Sequence, residues 1–136
     1  MQEVARSAIA QYVSDRPERL RAAIERIRTE DAELLDRLSR ARDRGESVLV
    51  FGDFDADGLT GLAIMVRALR RFGVTAEPYV PSRLDEGHGL SDKAVETAAA
   101  AGHRVIITVD TGSSSVSQVD EANRRGIDVL ITDHHR

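Results

Sequence analysis

The chain has 136 residues, 41% of them hydrophobic and 31% charged, with a net charge of −4. Those figures suit one compact domain, or a piece of a larger protein, and argue against wholesale disorder. The acidic balance offers no general basic field for nucleic acid, and the absence of cysteine excludes disulfides and thiolate metal sites.

Aromatic residues make up only 4% and there is no Trp, so the core has to be built from Val, Ile, Leu and Ala. No apolar run reaches membrane-spanning length and no signal-peptide pattern opens the chain. No membrane association is expected, and a cysteine-free composition fits a cytoplasmic protein.

Near the start, Val4, Ala8, Ile9 and Tyr12 form a short amphipathic stripe. In "SDRPERL", Ser14 or Asp15 suits an N-cap and Pro17 a first-turn position, and Leu20, Ile24 and Ile27 continue at helical spacing. A further helix is expected from about Asp31, with Leu34, Leu35, Leu38 and Ala41 on one face and Gly45 as its stop. Residues 1–46 therefore read as an N-terminal helical segment with a solvated Arg/Glu face.

At Ser47 the rhythm changes. "SVLVF" is a short β-branched run that reads as a strand, and "LTGLAIMVRALRRFG" reads as an amphipathic helix with Leu62, Val66, Leu69 and Phe72 inward. "TAEPYV" reads as a second strand, at an edge because of Pro78. "SDKAVETAAAAG" is a helix capped by Ser91 and closed by Gly102. "RVIITV" is a third strand, "SVSQVDEANRRG" a helix, and "DVLIT" a fourth strand. Strand and helix alternate, which predicts an α/β fold: a parallel β-sheet flanked by helices in a Rossmann-like three-layer arrangement.

In such sheets ligands bind beyond the carboxyl ends of the strands. Three of the predicted strands end in polar clusters, "GDFDADG", "DTGSSS" and "DHH", which should project from one edge. One acid after a strand is an ordinary helix cap. Asp53, Asp55 and Asp57 in alternation make a poor cap, because they repel one another.

A calcium loop of the EF-hand type would need Glu at its twelfth position, where Ile64 stands. A phosphatase of the haloacid-dehalogenase type is a closer alternative, although Leu59 stands where Thr or Val is expected. The D-T-G-S of aspartic proteases occurs here once, in an α/β context, and is accidental. Asp110 closes the third strand as a candidate ligand, whereas Ser113 to Ser115 read as caps of the next helix.

Two histidines after an acid at a strand end, His134 and His135 after Asp133, point to a divalent-cation site. Imidazole suits manganese or zinc, and carboxylates suit magnesium or manganese. Two ions about 3.5–4 Å apart would offset this many acids. In "PSRLDEGHGLS", Arg83 or His88 could face a phosphate, and a plain solvated loop is an equal alternative.

Together "GDFDADG", "TVDTG", "DHH" and "VPSRLDEGHGLS" resemble the DHH phosphoesterase superfamily, and within it the RecJ-like single-stranded-DNA-specific exonucleases. The resemblance runs from about Val48 to the end and implies a DHH-type fold. It implies a Mn²⁺ or Mg²⁺ pair with Asp55 and Asp57 each on one ion, Asp110 bridging, and His134 as a further ligand. His135 would touch the scissile phosphate and Asp133 would orient the histidines. Many members carry His where Phe51 stands, and Asp53 would serve instead. His88 stands where the RecJ-like loop usually has Tyr.

The implied function is 5′-to-3′ removal of nucleotides from single-stranded DNA in repair and recombination. The alternatives are another DHH phosphoesterase, such as an oligoribonuclease or a cyclic-dinucleotide phosphodiesterase, and an inactive scaffold that binds DNA or partners. The family continues past the DHH motif into a fourth motif with another Asp and a second domain. Residues 47–136 are therefore expected to be the N-terminal part of such a domain, with its site completed elsewhere and little activity of its own.

Overall fold

The computed structural model describes residues 31–135, together with Glu18, Arg21, Ala22 and Glu25, which are helical and exposed. The stripe from Val4 to Tyr12, the cap near Ser14 and Pro17, and Leu20, Ile24 and Ile27 lie outside the described residues. The chain divides into two compact units, residues 1–37 and 38–136.

Helix α1 spans Ala32–Arg44. Leu38 and Ala41 are buried, whereas Leu35 is 57% exposed. The correction to the expected stripe has a simple cause. Leu34, Leu38 and Ala41 fall within an arc of about 60° around a 3.6-residue helix, while Leu35 lies about 100° from Leu34 and about 120° from Ala41.

The second unit holds β1 (Ser47–Gly52), α2 (Ala56–Phe72), β2 (Thr75–Tyr79), α3 (Asp92–Ala101), β3 (Val105–Val109), α4 (Val116–Arg124) and β4 (Asp128–Thr132). The four strands form one sheet in the order β2-β1-β3-β4, and every pair is parallel. The central strands β1 and β3, the latter β-branched throughout, are buried along their length apart from the first residue of β1. That is the pattern of strands covered on both faces. Pro78 lies in β2, at an edge as its missing N–H requires.

On one face Leu49, Phe51 and Ile106 pack with Leu90, Ala94, Val95 and Ala98 from the α3 region and with Ala122 and Ile127 from the α4 region. Helix α2 packs against β1, β2 and β3. It comes close because Gly61 has no side chain: a Cβ there would lie 2.6 Å from Val109 Cγ1. Leu62, Val66 and Leu69 are buried as the periodicity predicts.

Phe72 is the exception, at 40% exposed. It ends the helix, and the Arg42 guanidinium covers its ring at 4.4 Å from the centroid. Ser115 occupies the N-cap position of α4 but makes no side-chain cap bond. Its Oγ instead accepts from Leu90 N at 2.9 Å, joining the loop after β2 to the loop after β3.

Candidate metal centre at the carboxyl edge of the sheet

Asp110 follows the last residue of β3. Its N–H continues the parallel ladder by donating to Thr132 O at 2.8 Å. Its φ of 61° makes it the one non-glycine residue with positive φ among the described residues. Asp is among the few non-glycine residues that bear left-handed backbone, and such conformations are concentrated at functional sites.

The Asp110 side chain is 10% exposed, and its Oδ1 lies 2.6 Å from His134 Nε2 and 3.7 Å from His135 Nδ1. Oδ1 is nevertheless buried without a hydrogen bond. The contact to His134 is close but lacks the alignment of one. One ligand atom from each of Asp110, His134 and His135 lies within 4.8 Å of the others. A buried carboxylate oxygen with no donor, facing two imidazoles, is a donor set that fits Mn²⁺.

Asp133 holds this arrangement from behind. Its Oδ1 accepts from His135 N at 3.0 Å and lies 2.8 Å from His135 Nδ1, and its Oδ2 accepts from Ser113 N at 3.1 Å. Burial alone would raise the Asp133 pKa, but the bonds from His135 and Ser113 outweigh it and hold the carboxyl far below the usual range. The same hydrogen bond to Asp133 raises His135, against the opposing effect of desolvation and with further help from Asp110 and Asp55. The two imidazole rings lie 4.2 Å apart between centroids.

The three aspartates after β1 are distributed differently. Asp55 is the N-cap of α2, its Oδ1 accepting from Gly58 N at 2.8 Å. It still acts on the charge of His135. Asp57 is exposed in the first turn of α2. Asp53 Oδ1 accepts from Phe54 N at 2.7 Å, and its Oδ2 lies 3.9 Å from His88 Nδ1. None of the three belongs to the cluster of Asp110, His134 and His135.

Arg83 and His88 meet on a residue the motifs did not single out. The Arg83 guanidinium sits 4.8 Å from the centroid of the Phe54 ring, and the His88 ring lies 5.2 Å from it. The only signal in the sequence was an aromatic between two acids in an aromatic-poor chain.

Glu86 was also missed. Its side chain is 5% exposed. Its oxygens accept from Tyr79 OH at 2.9 Å, Ser82 N at 3.0 Å and Ser91 OH at 2.5 Å. Burial would raise its pKa, but the bonds from Ser82, Ser91 and Tyr79, with Lys93 nearby, lower it overall. A carboxyl depressed in the folded state contributes stability that is full above its unfolded pKa, about 4.3, and lost as pH falls through the folded value. The melting temperature should therefore drop more steeply below about pH 4.3 in the wild type than in Glu86→Gln. Parallel acid profiles by circular dichroism would refute this.

Fold and site together define an α/β protein with a carboxylate–imidazole cluster at the carboxyl edge of a parallel sheet. The chain belongs to the DHH family: residues 47–136 match the model of the DHH family, N-terminal domain. It is 48% identical over 99 residues to the single-stranded-DNA-specific exonuclease RecJ of Dickeya dadantii (strain 3937), covering 72% of this chain and 17% of that protein. It is 38% identical over 103 residues to the RecJ of Bacillus subtilis (strain 168), covering 76% and 13%. The chain thus spans about a sixth or less of the length of these relatives.

Among solved structures, exonuclease RecJ bound to manganese superposes with a TM-score of 0.69 at 38% identity, over 79% of this chain and 27% of that one. RecJ in complex with Mn²⁺ from Thermus thermophilus gives 0.62 at 34% identity, over 79% and 14%.

Proposed function

We propose that this chain is part of a metal-dependent phosphodiesterase that removes nucleotides stepwise from the 5′ end of single-stranded DNA. The observation that carries the reading is Asp110, held at positive φ with a buried, donor-free Oδ1 facing His134 and His135. The relatives of that name and the two manganese-bound neighbours support it.

Asp110 and His134 would hold Mn²⁺, or Mg²⁺ by the same ligand chemistry, with Asp55, Asp57 and Asp53 supplying carboxylates from the next strand end. The bound metals would supply Lewis-acid stabilisation of charge on phosphate oxygens. The chain's own residues do the rest. Asp133 fixes the orientation of the His135 ring, which would then face the scissile phosphate. Arg83 and His88 approach the same edge over Phe54 and suit a substrate phosphate. No helix among the described residues is long and apolar enough to cross a membrane. A role in cytoplasmic DNA repair and recombination, and the division into a helical segment, 1–46, and a DHH domain from residue 47, are part of the same reading.

The test is hydrolysis of 5′-labelled and 3′-labelled single strands in Mn²⁺. It would compare this chain with a version extended to the full length of the relatives. Mononucleotide release from the 5′ end by the longer version is expected. Cleavage of RNA alone, or from 3′ ends alone, would move the protein to another DHH activity. Binding without any cleavage would favour a scaffold.

A further inference from the structure

We propose that Glu86 is a positioning residue that fixes the loop after β2, and so sets where Arg83 and His88 stand against Phe54 and Asp53. This deepens the phosphate-facing role given above to Arg83 and His88, and rests on it. Nothing in the contacts of Arg83 and His88 themselves makes the loop rigid: His88 is 82% exposed at its side chain and its approach to Asp53 is 3.9 Å. What restrains the segment lies between them.

The Glu86 carboxylate gathers three separate pieces of chain. Tyr79 belongs to the end of β2 and stacks on Phe51 at the end of β1, with ring centroids 5.7 Å apart. Ser82 opens the loop, and its N–H donates to Glu86 Oε1. Ser91 closes the loop; its hydroxyl donates to Glu86 and also accepts from Ala94 N as the cap of α3. One buried charge thus ties the loop's start and finish to the sheet and to a helix. Hydrogen bonds to a carboxylate are about twice as strong as neutral ones, which suits a single side chain to that task. Leu90 N, held by Ser115 Oγ, secures the far end to the loop carrying Asp110.

The test has two readouts. The chain has four histidines, so the imidazole proton resonances can be assigned by substitution. In the wild type the His88 ring protons should be displaced by the Phe54 ring current. In Glu86→Ala, measured well below its melting temperature, they should move toward the unstructured position. His103, buried at the other end of the sheet against Ser47 and Glu77, should stay where it is. Glu86→Gln, which keeps one acceptor, should show a smaller movement.

The second readout is affinity for a single-stranded oligonucleotide with and without a 5′-phosphate. Preference for the phosphate should be lost in Glu86→Ala while Mn²⁺ affinity is unchanged. If Glu86→Ala lowers only the melting temperature and leaves the His88 resonances in place, Glu86 is a stability residue and the proposal is overturned. If the wild type shows no phosphate preference, the phosphate-facing role fails. The His88 resonances then still decide whether Glu86 orders the loop.

Discussion

Asp110→Asn is expected to cost most of the Mn²⁺ affinity while leaving the fold in place. The choice of Asn matters. Asp110 has a φ of 61°, and Asn is among the few residues that tolerate the left-handed region, so the backbone at the end of β3 need not move. Alanine would add left-handed strain to the loss of a ligand and confuse the two effects. The substitution removes the charge of the one carboxylate whose buried oxygen faces both imidazoles. Loss of a supporting group around a metal costs about 10–100-fold in affinity, and a direct ligand should cost at least that. Calorimetric titration of Mn²⁺ into both proteins is the measurement, with melting temperature as the control. Matching isotherms would remove Asp110 from the metal centre.

Gly58→Ala is expected to destabilise the protein by about 3 kcal/mol and to lower its melting temperature by roughly 10 °C or more. Here the sign is the informative part. Gly58 lies within α2, where helix propensity alone would favour Ala by about 1 kcal/mol. Sterics oppose it. A Cβ at Gly58 would come within 2.8 Å of both the backbone N and C of Asp53, and neither can swing aside as a flexible side chain would. Relief would require the Asp53–Asp55 turn to move off the start of α2, breaking the cap between Asp55 and Gly58 N. Thermal unfolding decides between the two terms. A more stable variant would mean that the turn relaxes at little cost.

Much of the fold was legible in the sequence, because the signals were local. Runs such as "VLV" and "VIITV" read as strands, and Leu62, Val66 and Leu69 declared the inner face of α2 by their spacing. The periods of strand and helix are properties of neighbouring residues, so no tertiary information is needed to read them. The location of the site was legible for a related reason. In a parallel sheet all strand ends of one kind lie at one edge, so acids and histidines that follow strands must gather there.

The amino-acid sequence by itself therefore determined the α/β class, most of the inner face of α2 and the edge that bears Asp53, Asp55, Asp57, Asp110, His134 and His135. Which of these residues meet was decided only in three dimensions. The strand order β2-β1-β3-β4 sets β3 beside β4, so Asp110 faces His134 and His135. The same order sets β1 beside β2, so Asp53 falls next to His88 in the loop after β2. Strand order follows from how helices cover both faces of a sheet, which is a non-local packing outcome with no trace in any short window. The positive φ of Asp110, the bracing of His135 by Asp133 and the burial of Glu86 among Tyr79, Ser82 and Ser91 share that origin. The Asp133 and Glu86 carboxylates lose water and find donors that only the folded chain brings within reach.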